Sequence, residues 1–542
     1  MLKMNIIKHH ISAHIAKYLL AAGVMLTVTT LTSCGDFLKE YSQDEAYVRT
    51  WTDLNELLIG DGYMPCNSSA GFYPFSNNGM FLHLFGDEME ENNFGSTIGA
   101  YNSHQPIYGY WTWAQRVGTK SDYTGYYQEN QMWTEAYKHI NVCNNVLNSV
   151  KDVPQTLDAD VNGVNYVKGQ AHFLRAFLYF WLTNVYGQPY SEATASTDLA
   201  VPIKTSAEVE DRFFTRNTVQ ECYSLIESDL LDAIQELSAT TTARKSIYRA
   251  DSVSAMLLLS RVYLYMQNWQ KAAEYAKRVI NAHPALMNLA DNSSYFMTTT
   301  NPETIFSMGG DDLPSLQCCS YQCLRVSSGL YNSYSNYDYR RSQWYFTYGL
   351  FKGVTKQPKG ESSLNYTQAQ MDYYYAYYTD NIAQRAISSL FWLRSGEAYL
   401  NYAEAEAYLG NEDEARKAIN KLRENRIMSV DANRDITSSG SQLITDIRNE
   451  RRRELAFEGH RWFDLRRYRV CKVQPEKISI THNYSVYKET GSDQIAETRQ
   501  FVLGKDDPSW TAPIPYEVLD FNVGMKGNGN LYRDYTIVPT VN

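Results

Sequence analysis

The chain has 542 residues, of which 44% are hydrophobic and 20% are charged, and this composition excludes a disordered or collagen-like protein. Its 60 acidic and 50 basic side chains give a net charge of −10, which argues against a nucleic-acid interface because phosphate contacts need a basic face. Tyrosine is unusually frequent, with 44 residues beside 10 tryptophans, and this predicts a hydrated recognition surface because tyrosine joins an apolar ring to a polar tip.

The first 33 residues have the pattern of a bacterial lipoprotein signal peptide. Lysines at positions 3, 8 and 17 and no acidic residue accompany Tyr18–Val28, an apolar run shorter than the roughly 20 residues that span a bilayer. Leu31-Thr-Ser-Cys34 then matches a lipobox, so we expect cleavage before Cys34 and acylation of that residue. Each buried CH₂ of an acyl chain contributes about 0.8 kcal/mol, so several chains would anchor the protein firmly. An ordinary secretory signal with an incidental cysteine is the alternative.

Seven further cysteines follow the lipobox, an odd number that excludes complete pairing among them. Cys143 and Cys222 fall in helical patterns and are predicted to be buried thiols. Cys318, Cys319 and Cys323 cluster in a loop-like segment, where an exported protein could oxidise one pair. A zinc site is less expected there, because no histidine or second C-x-x-C lies beside them.

Apolar residues recur at three- and four-residue spacing in nine segments, which is the pattern of packed helices. The predicted helices are Ser42–Ile59, Gln131–Val150, Val164–Tyr186, Thr218–Leu237, Asp251–Gln267, Trp269–Ala282, Leu393–Leu409, Glu412–Asn425 and Ser441–Glu458. Residues 60–128 and Asp291–Asn381 show no sustained period and are rich in small polar residues and tyrosine. We predict that these two stretches are long irregular insertions, partly β, and such stretches inside a compact protein are usually functional.

Two helical pairs, over 251–282 and 393–425, resemble each other. Each has a first helix rich in Ala, Leu and Tyr, a tight polar turn, and a second helix with Ala at three- or four-residue spacing. Small residues at this spacing let helices approach closely, as in tetratricopeptide repeats, where each pair stacks on a neighbour. The sequence therefore predicts one mainly α-helical scaffold that carries the two insertions.

No catalytic signature is present in the sequence. It has no H-E-x-x-H, no G-x-S-x-G and no phosphate-binding loop, although the absence of these motifs does not exclude an enzyme. The best candidate for carboxylate chemistry is Asp87-Glu-Met-Glu-Glu91. Three interpretations stay open for it: a solvated loop or helix cap, a structural Ca²⁺ site, and the carboxylates of a glycosidase.

The densest charge cluster is Asn449–Tyr468. Glu450, Glu454 and Glu458 recur every four residues among its arginines, so carboxylates and guanidiniums lie on neighbouring helical faces where they can pair. This pattern argues against a nucleic-acid site and predicts a salt-bridged structural helix and turn.

Five segments together resemble the SusD/RagB outer-membrane lipoproteins of Bacteroidetes. The block Glu450–Tyr468 is similar to the family motif E-R-R-x-E-L-x-F-E-G-x-R-W-x-D-L-x-R. Gly169–Ala176 with Tyr186-Gly187 is similar to G-E-A-x-F-L-R-A … Y-G-x-x-P, with Gln170 in place of Glu. The other matching segments are Tyr402–Ala407 with Gly410, Ala512–Pro515 with Glu517, and Cys34–Leu38.

The resemblance implies a single SusD-like domain over 34–542, with an N-terminal part near 36–240 and a C-terminal part near 250–542, built of TPR-like hairpins with irregular insertions. Family members are non-enzymatic, surface-exposed lipoproteins of the outer membrane. They capture glycans, or in some cases peptides, and deliver them to a SusC-like TonB-dependent transporter. A carbohydrate, that transporter and the outer membrane are therefore the expected partners, with no cofactor and no nucleic acid. A surface glycoside hydrolase is the less favoured alternative.

Candidate ligand-binding rings are found in both irregular stretches. Tyr108, Tyr110, Trp111 and Trp113 form the densest group of rings, and flat rings suit the apolar face of a sugar. A second group of candidate aromatic residues includes Tyr331 and Tyr334. The alternative for each ring is that it packs beneath a loop as part of the core.

Overall fold

The computed structural model describes residues 48–64, 81–92, 105–242, 244, 246–291, 296–309, 324–348, 351–354, 356, 387–488 and 494–539. Within these ranges, the residues from Thr50 onward belong to one compact unit. The predicted signal segment, Cys34 and the cysteines at 66, 318, 319 and 323 lie outside the described residues. No helix in the described part of the chain is both long and apolar enough to cross a bilayer.

Helices account for most of the regular structure. In chain order they are α1 Trp51–Leu57, α2 Leu82–Phe85, α3 Gln131–Ser149, α4 Asp158–Tyr186, α5 Val219–Ala239, α6 Ser252–Tyr265, α7 Trp269–Ala282, α8 Ser328–Tyr331, α9 Tyr339–Gln343, α10 Ser395–Leu409, α11 Glu412–Glu424, α12 Gly440–Glu454, α13 Arg461–Arg469 and α14 Tyr516–Phe521. A π-helical turn, Leu58–Gly62, continues α1, and residues 105–111 are also helical. The predicted helices from Gln131 onward are confirmed with shifted ends, since α4 begins at Asp158 instead of Val164 and α12 ends at Glu454 instead of Glu458. The helix predicted over Ser42–Ile59 begins only at Trp51, because residues 48–50 are not helical, and residues 42–47 lie outside the described ranges.

Local capping residues fix where several of these helices begin and end. The Thr218 hydroxyl accepts a hydrogen bond from the Glu221 backbone N–H, and the Glu221 carboxylate accepts one from the Thr218 N–H, so a capping box starts α5. Asp251 starts α6 in the same way. Gly410 ends α10 at a φ of 82°, a left-handed conformation that glycine adopts without strain. The turn between α10 and α11 therefore follows from its own sequence.

The two predicted hairpins, α6–α7 and α10–α11, pack directly against each other. Helix α7 contacts its own partner α6 and also α10 of the second hairpin. Ala272 and Ala276 of α7 and Ala415 of α11 are fully buried, so small side chains allow these close approaches. The prediction of a mainly α, TPR-like scaffold is confirmed, although the two repeats are far apart in sequence.

Helix α4 is the central element of the N-terminal part and is buried along most of its length. It packs against α3 and α5, and an added Cβ at Gly169 would lie 2.5 Å from Cγ of Leu237 on α5. The buried Arg175 guanidinium donates to both oxygens of Asp229 on α5 at 2.7 and 2.8 Å. The motif residues Gly169 and Arg175 thus fix the α4–α5 contact.

Two buried arginines close the C-terminal end of α4. Arg216 donates to the Tyr186 carbonyl at 3.0 Å, and Arg466 donates to the carbonyls of Asn184 and Gly187. The hydrogen-bond acceptors that the structure describes for these two guanidiniums are neutral, namely backbone carbonyls and the Thr511 hydroxyl. Burial lowers the pKa of Arg216 to about 10 and that of Arg466 to about 9. Helix C-termini favour cations, because their last carbonyl groups lack helical partners.

The glutamates of α12 and the following turn form the centre of a buried ionic network. Glu454 accepts from Arg340 at 2.8 Å, Arg394 at 2.7 Å and Arg426 at 2.9 Å, and all four side chains are fully buried. Glu450 and Glu458 bind further cations, which are Arg340, Arg423 and Arg453 for the former and Arg394 and Lys356 for the latter. The interpretation as a structural salt-bridged segment is confirmed. Most partners, however, come from other elements and not from neighbouring turns of the same helix.

Nine strands in the described ranges form four small antiparallel sheets. They are β1 Met89–Glu91, β2 Thr304–Ser307, β3 Leu324–Val326, β4 Tyr345–Tyr348, β5 Phe351–Val354, β6 Trp392–Arg394, β7 Ile480–Tyr487, β8 Ile495–Leu503 and β9 Thr536–Val538. The sheets pair β1 with β3, β2 with β6, β4 with β5, and β7 with β8 and β9. The long β7–β8 hairpin was not predicted from the sequence, and it lies against β1.

Three cysteines in the described part of the chain, Cys143, Cys222 and Cys471, are buried free thiols. Burial raises the pKa of Cys143 to about 12 and that of Cys222 to about 11. The prediction of buried thiols at these two positions is confirmed, and neither is poised for reaction at neutral pH.

Candidate functional site

The predicted tryptophan platform is buried. Trp111 and Trp113 each expose 1% of their surface. Their indole N–H groups donate to the carbonyls of Asn483 at 2.7 Å and Phe85 at 3.1 Å. Both rings stack on His482, with ring centres 3.7 and 4.3 Å apart. The prediction that these two rings lie open to a sugar is therefore wrong, because the β7 strand covers them.

The tyrosines predicted beside them are also inside. Tyr110 stacks on Phe81 at 5.2 Å, and burial raises its pKa well above the usual value. Tyr334 donates its hydroxyl to the Arg453 carbonyl at 2.7 Å and exposes only 1% of its surface. Tyr108 exposes 2%, although its hydroxyl reaches a solvent-exposed neighbour. The prediction that these three rings are open to a ligand is wrong, because each one packs beneath a thin layer of loops and strands.

Tyr331 differs from the other predicted rings. It lies at the end of α8 and is half-buried. The guanidinium of Arg341 lies 4.7 Å from its ring centre and the ammonium of Lys352 lies 5.3 Å away. Its role in ligand binding stays a prediction.

An open cleft of about 370 Å³ lies next to the buried tryptophans, between the β1–β3 pair and the β7–β8 hairpin. We call it the strand cleft. Its walls carry polar side chains from three different parts of the chain, namely Glu90, Arg325, Ser328, Thr481, Asn483 and Gln500. Because strands hold most of these groups, their positions are fixed by backbone pairing.

Pairing between β1 and β3 places Glu90 directly opposite Arg325. The Arg325 Nε donates to Glu90 Oε1 at 2.9 Å, and the Ser328 hydroxyl donates to the same oxygen at 2.9 Å. The carboxylate is thus neutralised and held in place. This wall presents a fixed set of donors and acceptors whose opposite charges balance.

Two amide side chains form the opposite wall. Asn483 and Gln500 face each other across the hairpin, and Gln500 Nε2 donates to Asn483 Oδ1 at 3.3 Å. The remaining amide groups, Asn483 Nδ2 and Gln500 Oε1, have no partner within the described ranges. They are available to hydrogen-bond a ligand that carries hydroxyl or amide groups.

Trp111 and His482 lie beneath the cleft and are buried, with 1% and 3% of their surfaces exposed. Nδ1 of His482 lies 2.8 Å from the Trp111 carbonyl oxygen, and Nε2 lies 2.8 Å from the Gly86 carbonyl oxygen. Burial lowers the pKa of His482 to about 4, so the ring is neutral at pH 7. These two rings therefore form a fixed layer beneath the cleft, and polar side chains make most of the surface that is open to a ligand.

The acidic segment at 87–91 does not converge on one point. Asp87 pairs with Arg461 at 2.7 Å, and the Glu88 carboxylate accepts from the Phe457 N–H at 2.8 Å. Glu91 accepts from the Ser485 backbone N–H at 2.5 Å. Because Glu88 and Glu91 are buried, the interpretation as a solvated loop is wrong for them. Among the residues that the structure describes, no group of three or more His, Cys, Asp or Glu side chains could hold a metal ion.

The fold and the strand cleft define a helical-repeat protein with a polar recess carried on strands. Residues 326–532 match the family model described as "SusD family", and 76–264 match "Starch-binding associating with outer membrane". Residues 254–285, which contain most of the α6–α7 hairpin, match a tetratricopeptide repeat. The chain belongs to the SusD/RagB family.

Individual relatives agree with this assignment. The chain is 26% identical over 382 residues to SusD-like protein P2 of Formosa agariphila, covering 62% of this chain and 71% of the relative. A crystal structure of a putative sugar binding protein from Bacteroides vulgatus has a TM-score of 0.66 at 22% identity, over 90% of this chain and 99% of that one. A SusD-like carbohydrate binding protein from the same species has a TM-score of 0.61 at 20% identity, over 88% and 98%. Both structures share this fold.

Proposed function

We propose that this protein captures glycans in the strand cleft without cleaving them. The observation that supports this most directly is the arrangement of the cleft, in which polar side chains held on paired strands line an open recess. Sugars present hydroxyl groups around their edges, and amides and guanidiniums bind such groups in pairs of hydrogen bonds. The description of the matching family model as starch-binding supports the same ligand class.

The charges of the cleft favour a neutral ligand. Glu90 is paired with Arg325, and Glu91 is engaged by the Ser485 backbone N–H. A glycosidase needs two carboxylates that face one sugar across about 5 to 9.5 Å, one of them able to donate a proton. Both acidic side chains of the cleft are instead engaged by protein donors, and this supports binding without hydrolysis.

The binding proposal is tested with full-length protein purified in detergent and a panel of oligosaccharides measured by calorimetry. Asn483→Ala combined with Gln500→Ala removes the two free amide groups and should weaken binding about thirtyfold, since each net hydrogen bond contributes about 1 kcal/mol. Gln442→Ala, which removes an exposed amide on α12, is the matched control and should leave affinity unchanged. Equal affinities for the double variant and the control would refute the assignment of the cleft.

The absence of catalysis is tested with the same preparation. Purified protein incubated with each bound glycan should release no new reducing ends. Sustained release that co-purifies with the protein through successive columns would contradict the proposal and favour the glycoside hydrolase.

A peptide is the second candidate ligand. The specific observation in its favour is that amide side chains, and not exposed rings, line the described walls of the cleft. Asn483 and Gln500 could pair with a peptide backbone as well as with sugar hydroxyls. A peptide library in the same calorimetric assay separates the two ligand classes, because the double variant should affect only the class that occupies the cleft.

We also propose that the protein is a surface-exposed lipoprotein of the outer membrane that delivers its ligand to a SusC-like TonB-dependent transporter. The lipobox ending at Cys34 and the outer-membrane association in the family description support this. Cys34→Ser should abolish labelling by radioactive palmitate and release the protein from the membrane fraction. Purification of the tagged wild-type protein from outer membranes should recover a TonB-dependent barrel, and its absence would contradict the delivery step.

A further inference from the structure

Three tyrosine rings are open to solvent on the side of the β7–β8 hairpin away from the strand cleft. Tyr123, Tyr126 and Tyr532 expose 47%, 57% and 64% of their surfaces. We call them the tyrosine surface. Large rings exposed together on a folded protein usually mark a binding surface, whereas isolated ones do not.

Neighbouring side chains hold these rings in place. The hydroxyls of Tyr123 and the buried Tyr108 lie 2.7 Å apart. The Arg116 guanidinium lies 3.7 Å from the Tyr126 ring centre and 4.0 Å from that of Tyr516, so it is enclosed between two rings. The rings are therefore positioned before any ligand arrives, which lowers the entropic cost of binding.

A small recess of about 100 Å³ lies among the rings. It is lined by Gln115, Thr119 and Arg533 in addition to the tyrosines. The Arg533 side chain is only 10% exposed and pairs with Asp507, yet its Nε has no hydrogen-bond partner in the described ranges. A recess of this size accepts a hydroxymethyl group but not a whole sugar ring, so the ring would lie on the tyrosines outside it.

The charges around the tyrosine surface are balanced. Arg116 pairs with Glu129 at 2.8 Å, and Arg533 pairs with Asp507. Arg499, which lies beside Tyr108 and Tyr535, pairs with Glu497 at 2.7 Å. Since each guanidinium has its own carboxylate, the surface favours a neutral ligand over a uronic acid or an anionic peptide.

Strand alternation separates this surface from the strand cleft. Successive side chains of a strand point to opposite faces, so Gln500 lines the cleft while Arg499 faces Tyr108. Substitutions at Tyr126 and Tyr532 therefore remove no side chain that lines the cleft.

We propose that the tyrosine surface is a second carbohydrate-binding surface, which takes the apolar faces of neutral pyranose units in a polymeric glycan. The proposal rests on glycan capture as the function of the protein. The two surfaces would then divide the task, since the cleft takes a chain end or short segment while the tyrosines hold the polymer nearby.

The test is affinity electrophoresis of the full-length protein in detergent, in gels that contain amylopectin, galactomannan, arabinoxylan or polygalacturonate. Tyr126→Ala with Tyr532→Ala should reduce retardation by at least one neutral polymer, with an affinity loss of about tenfold. Replacing both by Phe keeps the rings and should preserve retardation. Tyr337→Ala removes an equally exposed tyrosine, 48% open, outside this surface and is the matched control.

The outcomes for the tyrosine surface and for the cleft are distinguishable. If the cleft variant with alanine at 483 and 500 keeps polymer retardation and the tyrosine variant loses it, the second surface is established independently of the cleft. If wild type and tyrosine variant migrate alike in every gel, the second surface is refuted while calorimetry still reports on the cleft. Loss of transporter co-purification in the tyrosine variant, with unchanged retardation, would also overturn the proposal by assigning the surface to a protein contact.

Discussion

Glu454 is the side chain whose neutralisation should be most damaging. Glu454→Gln keeps the shape of the residue but replaces one acceptor oxygen by an N–H donor and removes the charge. The carboxylate accepts from Arg340, Arg394 and Arg426 within 2.7–2.9 Å, and no part of this group reaches solvent. The amide would therefore direct its N–H groups at guanidiniums, which have only donors to offer.

The loss of stability in Glu454→Gln depends on which other carboxylates the three arginines still bind. Removing one partner of a buried ion pair costs about 3–5 kcal/mol. Arg340 retains Asp338, while Arg394 and Arg426 retain Glu303, so we expect the lower end, about 3 kcal/mol. A unit of roughly 490 residues has an unfolding entropy of about 1 kcal/mol/K, so the melting temperature should fall by about 3 °C.

Calorimetric melting of both variants at pH 7 measures this difference. The control is Glu424→Gln on α11, whose partner Lys421 lies 3.0 Å away in an exposed pair worth at most about 1 kcal/mol. If Glu454→Gln melts within about 0.5 °C of that control, the network does not stabilise the fold in the manner argued. Circular dichroism before heating verifies that both variants are folded.

Three further effects should be measurable by urea or thermal unfolding. Lys356→Met should lower the melting temperature by less than Glu454→Gln does, because Glu458 keeps its partner Arg394 when the ammonium is lost; a fall as large as that of Glu454→Gln would contradict this. Gly169→Ala should lower the free energy of unfolding by about 1–3 kcal/mol, because the new Cβ would lie 2.5 Å from Cγ of Leu237. An unchanged urea midpoint would contradict this, since it would mean that α5 moves aside without a loss of stability. Burial lowers the pKa of His482 to about 4, whereas a histidine in the unfolded chain has a pKa of about 6.5. As the pH falls through this range, the unfolded chain is protonated first, so the free energy of unfolding decreases by up to about 1.4 kcal/mol per pH unit. The urea midpoint of His482→Gln should decline less steeply over that range, and parallel curves would count against a neutral buried ring.

The helical scaffold could be predicted because its determinants are local. The spacing of apolar residues and the capping residues Thr218, Asp251 and Gly410 are all visible within one helix or its ends. The stacking of α7 on α10 followed from the need of each hairpin to bury its small-residue face. Helix ends were less predictable, since the turn after Glu454 is shaped by distant arginines.

The candidate site could not be predicted from the density of aromatic residues. Trp111 and Trp113 read equally well as exposed or buried rings, and the residue that covers them, His482, lies far away along the chain. Burial by a residue so distant in sequence is a tertiary effect, and the local sequence around Trp111 cannot predict it. The exposed rings of Tyr123 and Tyr126 lie about ten residues further along the chain. Glycine and polar residues separate them there, so the local density of aromatic residues is lower.

The β7–β8 hairpin did carry a sequence signal. Apolar or aromatic residues alternate with small polar ones in Ile480–Tyr487, whereas Ile495–Leu503 places four consecutive polar residues, Glu497–Gln500, between apolar ends. The first run therefore predicts a strand that carries Asn483, and the second run gives no such alternation for Gln500. That these two amides lie across a cleft from the β1–β3 pair depends on the docking of β1, and no spacing within the hairpin reveals it.

The C-terminal end of α4 is the meeting point of two stretches of chain, residues 76–264 and 326–532, each of which matches a separate family model. Arg216 donates both to the Tyr186 carbonyl and to that of Lys526, and Arg466 reaches back to Asn184 from the other stretch. Neither stretch can satisfy this junction by itself. We therefore expect fragments produced by splitting the gene between them to be insoluble alone and to recover the native assembly only when expressed together, as mutually complementing partners.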